Sequence, residues 1–178
     1  MELSHTAYVV LGMLRHGPRS GYEIKAVVDK STRFFWAASY GQIYPELKRL
    51  ADAGLIEGRG EASGGRKRTV YTLTDAGRAK LADWLSRGAE VLEYRDEGLL
   101  KLFFAAADPD AALAILEAKQ RLHEEKLAAL RTVEAATLEI KAAGDPFPDL
   151  VLRYGIESTE WMVAWCKRAR AEVEKGAS

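Results

Sequence analysis

A single cysteine, Cys166, and three histidines, His5, His16 and His123, are scattered over 178 residues. One cysteine cannot close an internal disulfide, and three isolated histidines lack the spacing of a zinc site, so neither a structural metal nor a cofactor is expected. Long apolar runs are also missing. The longest, residues 7–14, falls far short of the roughly 20 residues that a membrane-spanning helix needs. The opening Met1-Glu2-Leu3-Ser4-His5 has neither the basic stretch nor the small-residue cleavage site of a secretory signal, so a cytoplasmic location and no membrane partner are expected. A catalytic constellation is absent too. The histidines fall on separate segments, Gly64-Gly65 opens no phosphate-binding turn from strand to helix, and nothing marks an activating base for Cys166. The chain is therefore not expected to be an enzyme. What it has is apolar material, 48% of its residues, enough to bury a core, so disorder is not the default expectation.

Net charge is zero, but the zero conceals an asymmetry. Cut near Gly88, the first 88 residues carry 14 Lys+Arg against 9 Asp+Glu, a net of +5, and the remainder carries 12 against 17, a net of −5. Such a division suggests one segment that meets a polyanion and another with a different task. Periodicity divides the chain at the same place. Val9, Val10, Leu11, Met13 and Leu14 predict a mostly buried first helix over 7–15, ended by Gly17-Pro18. Ser20 caps a second helix through about 30, with Tyr22, Ile24, Val27 and Val28 as apolar contacts. The aromatic knot Phe34-Phe35-Trp36 is expected to pack in the core between helices. Ser39 caps a third helix to about 53, whose Ile43, Leu47 and Leu50 form one buried stripe; Pro45 sits awkwardly beyond its first turn. Residues 55–57 and 69–74 alternate with period two on either side of the glycine-rich 58–65, which predicts a hairpin with a flexible tip. Thr74-Asp75 caps a fourth helix with Leu81, Trp84 and Leu85 as its apolar face.

The second half reads as helix throughout: 96–106, a long helix over 110–143, and a last one after the break at 144–148. A helix of that length spans on the order of 50 Å, too long for a small globule to cover, so it is expected to need a partner. Leu113, Leu116, Leu127 and Leu130 follow a coiled-coil-like spacing interrupted by Gln120, His123, Glu134 and Thr137; Leu150, Tyr154, Trp161 and Trp165 line one stripe of the last helix. These eight side chains are the expected homodimer contacts. Trp84, Trp161 and Trp165 could stack on a flat ligand, but packing is the expected role of each.

Three short helices and a hairpin place the third helix to enter a major groove, with the hairpin reaching the neighbouring backbone. On this arrangement Tyr40, Gln42 and Tyr44 meet bases and phosphates, flanked by Lys48 and Arg49. Ser39, and Ser20, Tyr22 and Lys25 of the second helix, complete that surface. Arg66, Lys67 and Arg68 concentrate charge at the hairpin. A solvated helix face or an ordinary basic turn would explain each feature singly, but their coincidence in one basic segment favours DNA. The fold class is mainly α with a small β-hairpin. Residues 1–88 form a winged helix-turn-helix DNA-binding domain, and residues 89–178 an all-helical, coiled-coil-like dimerisation domain. The rival function is a module that docks another protein through the same winged helix.

Leu11-Gly12-Met13-Leu14, Gly17-Pro18, Ser20-Gly21-Tyr22-Glu23-Ile24, Ile43-Tyr44-Pro45-Glu46-Leu47, Gly54-Leu55-Ile56 and Tyr71-Thr72-Leu73-Thr74-Asp75-Ala76-Gly77 together carry a resemblance. The chain resembles the PadR-like transcriptional regulators. Its second half, with Leu152-Arg153-Tyr154-Gly155-Ile156, is similar to the helical C-terminal domain found in one branch of that family. The resemblance implies a winged helix, dimerisation through C-terminal helices and tolerance of Pro45 inside the recognition helix. It also implies repression of transcription from a two-fold-related operator in double-stranded DNA, with release by a small-molecule effector that the resemblance does not identify.

Overall fold

The computed structural model describes residues 2–63, 66–89 and 95–176; for 62, 63, 66, 67 and 107 it describes the backbone only. Two compact units result, Met1–Val91 and Leu92–Ser178.

In the first unit, α1 (His5–Leu14) begins at Ser4, whose hydroxyl accepts the Ala7 N–H at 3.1 Å and donates to Glu46 Oε1 at 2.6 Å. Next come a two-residue strand β1 (Arg19–Ser20), α2 (Gly21–Lys30) and α3 (Tyr40–Asp52). Strands β2 (Ile56–Ser63) and β3 (Arg66–Leu73) lead to α4 (Asp75–Leu85). One stripe from each helix meets in the core: Ala7, Val10, Leu11 and Leu14 of α1, Ile24 and Val28 of α2, Ile43, Leu47 and Leu50 of α3, and Leu81 of α4, closed by Ile56 and Leu73 of the sheet. Helix α3 runs unbroken through Pro45 and ends at Gly54, whose φ of 68° suits the left-handed turn.

The sheet is antiparallel in the order β1-β3-β2 and departs from expectation in two ways. A third strand joins the hairpin, with Arg19 opposite Tyr71 and Ser20 opposite Val70. The glycine-rich stretch is strand rather than loop as far as Ser63, opposite Arg66; Gly64 and Gly65 lie outside the described residues. The ladder uses only backbone groups, so glycine does not prevent it. At Gly58 the missing side chain makes room, since a Cβ there would stand 3.1 Å from both Thr69 and Tyr71. Glu61 stands opposite Arg68 in this register, but the Arg68 guanidinium turns instead to Glu23 of α2.

The aromatic knot is not core. Phe35 is 62% and Trp36 41% exposed, on the segment following a short 3₁₀ turn (Thr32–Phe34), with Trp36 tilted against His5 at 4.7 Å between ring centroids. The core was already filled by aliphatic stripes from four helices, leaving no volume for three large rings. Of the expected α4 face, Leu81 is buried, whereas Trp84 lies flat on Tyr8 with centroids 4.5 Å apart and Leu85 is exposed.

The second unit contains α5 (Glu97–Phe103), a 3₁₀ turn (Ala105–Ala107), α6 (Pro109–Arg131), α7 (Glu134–Ala142) and α8 (Phe147–Gly176). The single long helix expected over 110–143 is two. Thr132 and Val133 interrupt it: the Thr132 hydroxyl donates to the Ala129 carbonyl at 2.7 Å, and the Val133 N–H turns back to Leu130. A β-branched pair with its own side-chain hydrogen bond offers the backbone an alternative to the next helical turn. Helix α6, 23 residues long, packs along α8 of the same chain, which removes the argument from length for a partner. Buried Asp149 ties α7 to α8, with Lys141 Nζ at 2.8 Å and Arg153 Nε at 3.3 Å. The hydrogen bond from Lys141, followed by its charge and that of Arg153, holds the Asp149 carboxyl below its ordinary range despite burial.

His123 is buried on α6, and neither ring nitrogen has a hydrogen-bond partner. Burial first, then the Lys119 and Lys126 ammonium groups, push its pKa below the ordinary 6.5, against an upward pull from Asp96. The folded state therefore binds a proton less readily than the unfolded chain, so stability falls as pH drops below 6.5. Urea midpoints between pH 7.5 and 5 are expected to decline less for His123→Leu than for the wild type; parallel declines would remove His123 as the source.

Candidate nucleic-acid interface

Helix α3 turns by about 100° per residue, which sorts its exposed side chains once Ile43, Leu47 and Leu50 face inward. Tyr40, Tyr44 and Lys48 form one flank of the outer face, Gln42 and Arg49 the other. Between them stand Gly41 and Pro45 along the first two turns, where the middle of the outer face has no long side chain, and the exposed Asp52 at the last turn. Pro45 leaves the Gly41 carbonyl without its helical N–H donor on this exposed face, and over these two turns the low centre lets the helix axis approach a surface closely, with polar side chains on either side.

The tyrosines form a ladder. Tyr22 of α2 stacks on Tyr40 at 6.5 Å, and Tyr40 on Tyr44 at 6.1 Å, with interplanar angles of 17° and 27°. Close approach of the two helices depends on Gly21, where a Cβ would stand 2.9 Å from the Tyr44 ring. Tyr71 of β3 lies beside Tyr44, and burial, with a smaller contribution from Tyr44, raises its hydroxyl pKa. Tyr22, Tyr40 and Tyr44 are all exposed, so the ladder is open to a partner along its length.

Both helices entering this surface carry the same cap. In α3, Gln42 Oε1 accepts from the Ser39 N–H at 2.9 Å and from the Ser39 hydroxyl at 3.1 Å. In α2, Glu23 Oε2 accepts from the Ser20 N–H and hydroxyl at 2.8 Å each, and Ser20 Oγ accepts the Glu23 N–H. A reciprocal cap of this kind satisfies donors that a helix start leaves open.

The structure changes the roles of several expected contacts. Ser20 is buried and its hydroxyl is engaged in the cap, so it offers no outer surface. Ser39 is exposed, but its hydroxyl is likewise held by Gln42. Lys25 has only 15% of its side chain exposed, paired with Asp29 and lying 5.4 Å from the centre of the Tyr40 ring. Arg49 pairs with Glu46 at 3.3 Å and turns toward the Glu2 carbonyl. Arg68 points to α2, donating to both Glu23 oxygens at 3.0 Å. The side chains of Arg66 and Lys67 lie outside the described residues. Lys48, Tyr40, Tyr44 and Gln42 are exposed as expected.

Glu23 is the residue that sequence reasoning missed. Its hydrogen bonds from the Ser20 backbone and hydroxyl, and then the Arg68 charge, lower its pKa in spite of some desolvation. The Ser-x-x-Glu spacing of a capping box was visible in the sequence. Its partner Arg68, 45 positions away, was not.

In the second unit the expected dimer contacts separate into two groups. Leu116 and Leu130 are buried within the chain itself, and a Cβ on Gly155 of α8 would touch Leu130 at 3.4 Å, so these two belong to the α6–α8 core. Leu113, Leu127 and Trp165 are half-buried, whereas Leu150, Tyr154 and Trp161 are exposed on one stripe of α8.

Residues 10–83 match the transcriptional regulator PadR-like family, and residues 94–174 match a region described as virulence activator alpha C-term. The negative transcriptional regulator PadR of Bacillus subtilis is 33% identical over 181 residues, covering 94% of this chain and 97% of its own. Two solved structures of that protein superpose on the chain. One, in complex with operator DNA, has a TM-score of 0.82 at 32% identity over 94% of this chain and 98% of the other. The second, in complex with p-coumaric acid, has a TM-score of 0.75 at 30% identity over 97% and 99%. These relatives are regulators of transcription, not enzymes. With its helical C-terminal region and three-stranded winged-helix sheet, the chain belongs to the PadR-like family of transcriptional regulators.

Proposed function

We propose that the chain is a sequence-specific DNA-binding repressor that acts as a homodimer on a two-fold-related operator and is released by a small effector. Residues 1–88 bind the DNA and residues 89–178 join the two copies. The observation that carries this reading is the outer face of α3, whose first two turns present a low Gly41-Pro45 centre between a Tyr40-Tyr44-Lys48 row and Gln42. A groove about 12 Å wide accepts a helix of this shape. Tyr22, Tyr40 and Tyr44 donate to phosphates, Lys48 adds charge, and Arg66 and Lys67 on the hairpin meet the adjoining backbone. Support for operator binding and for an aromatic-acid type of effector comes from the B. subtilis relative, solved with operator DNA and with p-coumaric acid. Among the described residues no helix is long and apolar enough to cross a membrane.

The capping geometry sharpens the role of Gln42. Its carbonyl oxygen is engaged by Ser39, which leaves the amide NH₂ to donate, so it reads an acceptor on a base edge. Gln42→Ala is expected to cost about 1–3 kcal/mol of discrimination at one base pair, with a smaller loss on every other sequence from the weakened cap. Selection of bound duplexes from a random pool tests both levels. A two-fold-related motif that relaxes at one position in the variant supports the reading; recovery of no enriched motif by the wild type overturns it.

A further inference from the structure

Arg68 lies on the DNA-facing hairpin, yet its guanidinium is occupied. Nη2 donates to Glu23 Oε1 and Oε2 at 3.0 Å each, with 40% of the Arg68 side chain and 39% of the Glu23 side chain exposed. Glu23 is held in place independently, because its Oε2 also accepts the Ser20 N–H and hydroxyl of the α2 cap at 2.8 Å. The carboxylate therefore stays where the cap puts it. Two anionic oxygens presented to one guanidinium are the chemistry of a DNA phosphate, supplied here by the protein itself.

A cation that arrives at DNA already neutralised displaces no condensed counterion, so it adds little to affinity for arbitrary sequence. The pair is partly open to solvent, where an ion pair is weakly held and exchange with another anion is cheap. Arg68 can thus pass from carboxylate to phosphate once base contacts by α3 have brought the hairpin into register. On encounters without those contacts it remains with Glu23.

We propose that Glu23 is a specificity-determining residue, whose carboxylate occupies Arg68 in place of a DNA phosphate and so holds down binding to non-operator sequence. The inference rests on the DNA-binding reading above and adds a restraint to it. Neither the cap alone nor the positive charge of the hairpin predicts such a restraint.

The test measures binding of the full-length chain to a mixed-sequence duplex of about two helical turns over a range of salt concentration. Glu23→Gln keeps an acceptor for the Ser20 N–H and removes the charge. It is expected to steepen the salt dependence by about 0.9 per chain bound, which corresponds to binding about eightfold tighter at 0.1 M salt. Arg68→Ala, which leaves the cap untouched, is expected to shift the slope by far less than the roughly 0.9 that a free arginine at phosphate would give up. Glu23→Gln combined with Arg68→Ala is expected to match Arg68→Ala alone. Equal slopes for wild type and Glu23→Gln overturn the proposal. So does a full 0.9 loss for Arg68→Ala, or an equal gain from Glu23→Gln in the Arg68→Ala background, which would mean direct repulsion of DNA by Glu23. A wild type that binds no duplex at low salt instead removes the DNA-binding reading itself.

Discussion

Replacing Gly77 by alanine is expected to destabilise the first unit by about 3 kcal/mol, near the upper end for a single added methyl group. Gly77 occupies the third position of α4, where its N–H is accepted by the capping hydroxyl of Thr74 at 3.1 Å. Thr74 is itself fixed from behind: its N–H donates to the Leu55 carbonyl at 3.2 Å and its hydroxyl to the Gly54 carbonyl at 2.8 Å. The turn after α3 and the start of α4 thus meet backbone to backbone. A Cβ on Gly77 would stand 2.1 Å from that same Leu55 oxygen and 2.8 Å from Leu73 Cδ1. No rotamer relieves a clash with a carbonyl. The first turn of α4 has to move by more than an ångström, and the Thr74 contacts go with it; the lost cap alone is worth about 1 kcal/mol.

Gly12 supplies the contrast. It lies inside α1, and a Cβ there meets nothing within 4 Å. Gly12→Ala should therefore stabilise by about 0.5–1 kcal/mol through helix propensity. Urea unfolding with m-values checked for constancy separates the two outcomes, and a Gly77→Ala midpoint equal to that of the wild type would refute the backbone-contact account.

How far the sequence could foretell this molecule depends on the range over which each feature is determined. The α3 stripe Ile43, Leu47 and Leu50, the caps at Ser20, Ser39 and Thr74, and the alternation in Tyr71 and Leu73 are local, and each was legible. Strand β1 was not, because two residues carry no period; it exists through pairing with β3, some 50 positions on. The interruption at Thr132-Val133 has neither glycine nor proline to mark it, only a β-branched pair within an otherwise strong helical pattern. Phe35 and Trp36 were misread because aromatic rings are core-formers on average, whereas here aliphatic stripes had filled the space. At the interface, residue types in α3 were readable, but their occupancy was not. The engagement of Arg68 by Glu23, of Lys25 by Asp29 and of Gln42 by Ser39 depends on side-chain geometry, two of them within one helix turn and one across the fold.

Helix α8 is apolar on two opposite faces, and that pattern separates a residue that holds the chain together from one left open to the proposed second copy. Leu152, Thr159, Val163 and Cys166 fall on one side and are buried in the unit. Leu150, Tyr154 and Trp161 fall about 180° away; Tyr154 is 73% and Trp161 59% exposed. A contiguous exposed stripe with two large aromatics is the kind of surface that a second copy covers. The leucine spacing had assigned Leu116 to that same interface, but it is fully buried inside the chain. Leu116→Ala is therefore expected to lose about 3 kcal/mol of stability, the cost of an unfilled cavity between packed helices, while the assembly keeps its mass in light scattering. Trp161→Glu should do the opposite: it buries a carboxylate wherever the stripe meets its partner, so the mass halves while the helical circular dichroism signal of the chain persists. A Trp161→Glu protein of unchanged dimer mass would rule out the α8 stripe. Monomeric wild type at micromolar concentration would rule out the proposed homodimer altogether.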